Sequence, residues 1–520
     1  MKHLSLLSAF VLILWSSLPI QAQIASKEID ALVTDALAKF KVAGVAVAVV
    51  KDGKVVHQKG YGVTDINTKK SVNEFTNFAI ASNSKAFTTT ALSILEEEGK
   101  LKWTDKVKDH IPEFKMYNDY VTENFNIQDL LTHRSGMGLG VGDLMFFPDG
   151  SDFKIKDVLA AFQYFRPVSA FRTKFDYDNL LYIVAGEVIA RVSGMSYEDF
   201  VQKRIITPLQ MNHTFASPDL MKDKSNLATP HSSESGTIKA IAPFGEQINS
   251  AAGGILSNVA DMSTWMIMHL NKGKYGEGLK SNLFSVRNQN EMWRLHTVLP
   301  TNPDPRYKSH FNGYGLGWGL SDIRGNMRVT HTGGLPGMLT SVTMYPDLNL
   351  GIVVLTNTEN GGGGLFSAVS NTIADSYLGL DNFGWTDKIN DRMTQQRSAG
   401  DEVTKKVWEK VESAKNVKVR NEDYIGIYQD KWFGKVEVFE KGQQLWFKCH
   451  RSPKLNGPMA FYNANTFAIK WEYQDMNCDA LAMFALDENG KAQSIKMKGI
   501  SPNIDFSFDF QDLDLQRVNK

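Results

Sequence analysis

The hydrophobic period of this 520-residue chain changes once, and that change most constrains what it can fold into. Up to about residue 385, helical and strand periods interleave. Ile29, Leu32, Val33, Ala36, Leu37 and Phe40 recur at helical spacing. Residues 45–50 and 55–60 alternate as strands around Asp52-Gly53, a dipeptide suited to a hairpin turn. Phe87, Ala91, Ile94 and Leu95 then form a helical stripe that Gly99 stops. Beyond residue 419 only short strands recur, at 436–439, 445–449, 466–471, 482–486, 494–497 and 504–510, with turns at Lys441-Gly442 and Asn489-Gly490. The stretch between, 386–418, is charged and reads as a connector of loose helices. The expected organisation is an α+β domain over 23–385, the connector 386–418, and a small antiparallel barrel over 419–520.

Charge and cysteine content exclude several function classes. Lys plus Arg and Asp plus Glu each number 57, so there is no electrostatic case for nucleic acid or an anionic membrane surface. No C-x-x-C or H-E-x-x-H occurs, and the 11 histidines are scattered, so neither a metal nor a cofactor is expected. Cys449 and Cys478 could pair after export or stand as buried thiols; both readings stay open. Residues 1–22 read as an export signal: Lys2 and His3, an apolar run over 4–20, and a cleavage site at Ile20-Gln21-Ala22 before Gln23. A membrane anchor is the alternative, and Ser16, Ser17 and Pro19 weaken it. The mature chain is expected in the periplasm or secreted, with no stable membrane insertion.

Three widely spaced motifs carry chemistry. Ser82 and Lys85 lie three apart at the start of the helix that runs to about residue 98, on one face, where an amine can take the serine proton. Tyr177 and Asn179 precede an apolar helix begun by Leu180. Its phenol, if lowered by Lys85, can relay protons to and from Ser82, and the Asn179 amide can bind a substrate amide. His331-Thr332-Gly333-Gly334 ends a strand and can present a polar head and a backbone N–H to a cleft. Each motif alone has an ordinary structural explanation, and their joint occurrence in this order changes the balance. His133 and Ser135 also tempt a catalytic reading, but they enter a glycine-rich loop (Gly136, Gly138, Gly140, Gly142) and are read as structural.

Together, Ser82-x-x-Lys85, Tyr177-x-Asn179 and His331-Thr332-Gly333 resemble the serine hydrolases of the class C β-lactamase and penicillin-binding protein family. The stretches Leu130-Leu131-Thr132-His133-Arg134-Ser135-Gly136, Ala252-Gly253-Gly254 and Tyr314-Gly315-Leu316-Gly317-Trp318 are similar to that family's as well. The resemblance spans roughly residues 25–380. It implies an antiparallel sheet flanked by helices with a helical insert, and a site between them. It further implies Ser82 as nucleophile, Lys85 as its activating amine and Tyr177 as general base and acid. Asn179, His331 and Gly333 would bind substrate, and the backbone N–H groups of Ser82 and Gly334 would form an oxyanion hole. The C-terminal strands are similar to a lipocalin-like domain appended to some of these hydrolases.

His331 departs from the lysine that β-lactamases of this class carry, and a histidine pairs less well with a β-lactam carboxylate at neutral pH. That points to the D-aminopeptidase and esterase branch. The expected function is an exported serine hydrolase that forms an acyl-enzyme on Ser82 and cleaves amide bonds of small, first of all D-amino-acid, peptides. The alternatives are a carboxylesterase on short acyl esters, a β-lactamase or penicillin-binding protein, and a non-catalytic binding protein on the same fold. The partner is a small-molecule or peptide substrate, with loops 138–155 and 222–250 and the barrel as candidate specificity elements. Self-association into a homo-oligomer is left open.

Overall fold

The computed structural model describes residues 23–518 apart from 235, 246 and 302, so the export segment read in residues 1–22 lies outside them. Eight strands build one antiparallel sheet: β1 (Gly44–Lys51), β2 (Lys54–Gly62), β3 (Thr297–Val298), β4 (Asn312–Tyr314), β5 (Gly319–Ile323), β6 (Asn326–Leu335), β7 (Met338–Tyr345) and β8 (Leu350–Thr356). Their spatial order is β2-β1-β8-β7-β6-β5-β4-β3, so the N-terminal hairpin joins strands from the far end of the domain, with Val45 opposite Thr356. The hairpin turns at Asp52 and Gly53, both at positive φ (51° and 71°), as the dipeptide predicts.

β1 is buried along almost its whole length because both sheet faces are covered. Helices α1 (Ser26–Lys39), α2 (Ser84–Glu97), α3 (Leu180–Ser193), α4 (Val259–Leu270), α5 (Gly362–Tyr377) and α6 (Trp385–Ser413) supply most of that cover. Val45, Val47 and Val49 share a core with α1 and α5, through Ile29, Val33, Leu365 and Val369. Ala46, Ala48 and Val50 belong to the opposite core with α2 and α4, where Phe87 stacks on Trp265 at 3.8 Å between ring centroids. The predicted α+β class and the helix-flanked antiparallel sheet are therefore what the chain forms.

The C-terminal strands close into an eight-stranded antiparallel barrel: β9 (Gly426–Asp430), β10 (Gly434–Lys441), β11 (Gln444–Cys449), β12 (Asn456–Asn463), β13 (Thr466–Ile469), β14 (Ala480–Leu486), β15 (Ala492–Gly499) and β16 (Leu515–Val518). Pairing of β9 with β16 completes the closure and leaves no open edge. Phe447, Phe467, Trp471 and Phe484 are buried and meet ring to ring within it.

Two local expectations are corrected, one strand is added and one open question is closed. The stretch read as a connector of loose helices is a single helix, α6, of 29 residues. One end, at Ile389 and Met393, packs into the α1/α5 core, and the other, at Trp408 and Val411, packs on Leu481 and Ile500 of the barrel, so tertiary contacts at both ends hold it straight. The segment 504–510 is a loop with a short 3₁₀ turn (Phe510–Asp512), not a strand. Its alternation misled because Ser507, Phe508, Asp509 and Phe510 are all buried, sandwiched between the barrel and the sheet domain. β12 was unread because Gly457 and Pro458 argue against a strand in isolation. Finally, of the two readings left open for Cys449 and Cys478, the structure has the buried free thiols.

Candidate active site

Ser82 sits on a single 3₁₀ turn, Ala81–Asn83, that leads into α2 one turn later than the sequence period suggested. Ala81 has φ of 49°, a left-handed conformation that costs a non-glycine residue about 1–2 kcal/mol. Neighbours hold the turn there: Asn83 Nδ2 donates to Thr340 Oγ1 at 2.9 Å, and Thr340 Oγ1 donates to the Ile80 carbonyl at 2.8 Å. Gly333 of β6 permits the close approach. A Cβ on it would lie 2.3 Å from the Ile80 oxygen and 2.5 Å from Thr340 Oγ1. β5 begins at Gly319, opposite Thr330, so residues 331–335 of β6 have β7 on one side and the serine turn on the other. Gly334, next along, is exposed to the cleft.

Lys85 is fully buried with its Nζ at the centre of three contacts: Ser82 Oγ at 3.1 Å, Asn179 Oδ1 at 2.7 Å and the Ala252 carbonyl at 3.0 Å. Burial lowers the amine to about 7, with Asp143 and Asp178 pulling in the opposite direction. Asn179 Oδ1 and the Ala252 carbonyl can only accept, so a neutral Lys85 spends both N–H groups on them and turns its lone pair to the Ser82 hydroxyl. Ala252 reaches this position because its segment docks on α2, where Thr88 Oγ1 donates to the Ala251 carbonyl at 2.6 Å.

The Tyr177 ring lies beside the Lys85 amine, 4.7 Å from Nζ to the centroid, and its phenol faces Ser82. The sequence reading made a phenol lowered by Lys85 the condition for a base. Burial instead pushes the phenol up, and the amine is the group that gives up its proton near neutrality. Behind Tyr177 lies His133, fully buried, its ring centroid 4.2 Å from that of Tyr177 and its Nδ1 accepting from the Asp178 N–H at 3.0 Å. Its place is the packing one expected from the sequence.

His331 lines the cleft with both ring nitrogens engaged. Its Nδ1 donates to the Thr332 carbonyl at 2.6 Å, which leaves Nε2 to accept from the Tyr314 hydroxyl at 2.8 Å. Burial lowers the imidazole to about 3, so it stays neutral.

These side chains converge on one cavity of ≈ 280 Å³ lined by Ser82, Tyr177, Asn179, His331 and Gly334. A wider one of ≈ 630 Å³ elsewhere brings none of the motif residues together. Sequence reasoning missed the rest of the cleft wall. Glu359 follows β8, and Met476, Asp505, Phe506 and Ser507 come from the barrel. Asp143, behind Asn179, was missed as well, and accepts from its Nδ2 at 2.8 Å. Nothing local marks these residues; only the docking of the two units brings them here. Among the described residues no group of three or more His, Cys, Asp or Glu side chains could hold a metal ion.

Comparison with known proteins follows the same outline. The family model described as Beta-lactamase matches residues 29–369, and one described as a domain of unknown function (DUF3471) matches 416–517. An unguisins hydrolase, ungD, of Aspergillus violaceofuscus is 28% identical over 70% of this chain and 67% of its own length. Protein flp of Staphylococcus aureus is 28% identical over 64% of this chain and 63% of its own length. The chain thus spans about two thirds of these curated relatives. Among solved structures, the octameric penicillin-binding protein homologue from Pyrococcus abyssi superimposes with a TM-score of 0.61 at 21% identity, over 95% of this chain and all of that one. At that identity the likeness is one of fold, barrel included.

Proposed function

The chain belongs to the Beta-lactamase family, and on that premise we propose that it is a serine hydrolase working through an acyl-enzyme on Ser82. The observation that carries the proposal is the buried Lys85 amine, 3.1 Å from Ser82 Oγ and held by two acceptors that aim its lone pair at the hydroxyl. Lys85 takes the serine proton as Ser82 Oγ bonds to the substrate carbonyl carbon. The backbone N–H groups of Ser82 and Gly334 receive the oxyanion, a contribution of about 3–4 kcal/mol per donor in well-built sites. Tyr177, a neutral phenol, protonates the leaving nitrogen as the C–N bond breaks and recovers its proton from the Lys85 ammonium. Water then attacks the ester by the reverse relay and frees Ser82.

Within that class we assign small peptide amides bearing a free amine, D-amino-acid peptides first. Two features support this: Glu359 and Asp505 line the same cavity, and His331 is neutral. Burial raises both carboxyls, Glu359 to about 7, and a cationic amine entering beside them favours their ionised forms, whereas a β-lactam carboxylate finds no partner charge there. The unguisins hydrolase among the relatives supports hydrolysis more generally. Export directed by residues 1–22, and self-association as in the octameric neighbour, belong to the same proposal.

The test is intact mass after exposure to a fluorophosphonate, a penicillin and D-alanyl p-nitroanilide, with p-nitrophenyl acetate as the ester control. The expected outcome is a fluorophosphonate adduct on Ser82, anilide turnover, no lasting penicillin adduct, and loss of all reactivity in Ser82→Ala. Absence of any adduct would sink the hydrolase reading and leave a binding protein. Ester turnover without anilide turnover would favour the carboxylesterase. Recovery of the chain outside the cytoplasm beginning at Gln23, and its mass by light scattering, test export and assembly.

A further inference from the structure

The loop that follows β15 leaves the barrel, enters the catalytic cleft and ends in hydrogen bonds to the hydrolase unit. Phe506 meets the Tyr177 ring edge-on with centroids 5.8 Å apart. Asp509, fully buried, accepts from the backbone N–H groups of Gly142 and Leu144 at 2.7 and 2.9 Å. Between them Ser507, 5% exposed, donates its hydroxyl to Asp143 Oδ2 at 2.8 Å. That same oxygen accepts from Asn179 Nδ2 at 2.8 Å, and the other end of the Asn179 amide accepts from Lys85.

An asparagine amide can sit either way round. Burial pushes the Asp143 carboxyl well up, but both hydrogen bonds fall on Oδ2 while Oδ1 has no partner among the described residues. A proton held on Oδ1 leaves Oδ2 an acceptor that is fixed from the barrel side and settles which end of Asn179 faces it. With the amide reversed, Nδ2 would point at the Lys85 amine, which would then lose one of the two acceptors that direct its lone pair. Ser507 is therefore linked to Ser82 through four consecutive hydrogen bonds, although it lies in the cleft wall and touches no reacting atom. We propose that Ser507 and Asp143 are positioning residues for acyl transfer, so that the barrel completes the catalytic apparatus by fixing the Asn179 amide against Lys85. The inference rests on Ser82 being the acyl acceptor.

The test is the rate of fluorophosphonate labelling of Ser82 in the full chain, followed by intact mass between pH 5 and 9. Wild type is compared with Ser507→Ala, Ser507→Thr and Asp143→Asn, with near-ultraviolet circular dichroism as the check on folding. The titratable groups and rings facing Lys85 are Asp143, Asp178, His133, His331, Tyr177 and Tyr182. Asp178, raised by burial to about 7, titrates within this window in wild type and variants alike, and of the set only Asp143 is altered by substitution. Ser507→Ala is expected to slow labelling roughly ten- to a hundredfold, as misorientation of a base does, and Ser507→Thr, which keeps the hydroxyl, to restore it. Burial pushes the Asp143 carboxyl up, but its ionised form raises Lys85, so Asp143→Asn is expected to move the pH midpoint down. Should Ser507→Ala not fold, the rate and midpoint of Asp143→Asn decide. Wild-type rate and midpoint in the folded variants would overturn the proposal. No adduct on the wild type would overturn the reading of Ser82 and this inference with it, and wild-type labelling keeps the two failures apart.

Discussion

At the scale of single residues, the site depends on an amine stripped of water. A lysine in solution is protonated at neutral pH and cannot accept a proton from serine; enclosure of Lys85 lowers it to about 7 and makes it a base. The direction of the pH dependence follows. Below about 7 Lys85 holds its proton and above it the amine is free, so on the proposed mechanism the labelling rate of Ser82 should climb as pH rises through about 7. Stopped labelling at a series of pH values checks this, and a flat profile from 5 to 9 would remove Lys85 from the role. Lys85→Met keeps the side-chain volume but not the lone pair, and is expected to slow Ser82 labelling by a factor of roughly 10²–10⁴.

At the scale of elements, β6 and the serine turn are one mechanical unit. Gly333 lies against the Ile80 carbonyl with no room for a side chain, and Ala81 is held in a left-handed conformation by Asn83 and Thr340. Gly333→Ala should force the two apart. The expected cost is about 1–3 kcal/mol in denaturant unfolding, the usual range for overpacking a tight contact, with a loss of Ser82 reactivity larger than that cost alone implies. Unchanged stability together with unchanged labelling would show that β6 does not set the turn. The motif glycine thus acts through what it leaves out. This is why its expected substrate role reads differently in the fold: Gly333 is buried, and Gly334 is the residue exposed to the cleft.

Across the whole molecule, the barrel and the sheet domain are joined by more than a linker. Helix α6 packs into both. Phe165 meets Trp432 at 5.4 Å, Arg451 pairs with Asp152 and Asp157, and Asp509 holds the backbone of the loop that carries Asp143. Asp509→Ala leaves the Gly142 and Leu144 N–H groups without their carboxyl acceptor, and a buried donor left unpaired costs about 1–3 kcal/mol. Amide exchange over residues 140–147 should accelerate by roughly tenfold or more, while β7, away from the loop, keeps its protection. Exchange unchanged at both places would mean that the loop is ordered without help from the barrel.

The sequence alone determined the pieces that depend on neighbours in the chain. Ser82 and Lys85 share a face because they stand three positions apart at a helix start. Asp52-Gly53 turns a hairpin because its backbone tolerates positive φ, and the change from mixed to strand-only periods marked the barrel. The co-occurrence of the three motifs even marked which distant residues share a cleft. Tertiary structure alone decided the protonation preference of Tyr177 and Lys85, since burial outweighs their mutual proximity. It also decided that 504–510 is a cleft loop, and that Ser507 meets Asp143 across 364 residues of chain. A hydrophobic period records which side chains leave water, but not what they meet. Hydrogen bonds between units, and the pKa values they set, come into being only when the units dock.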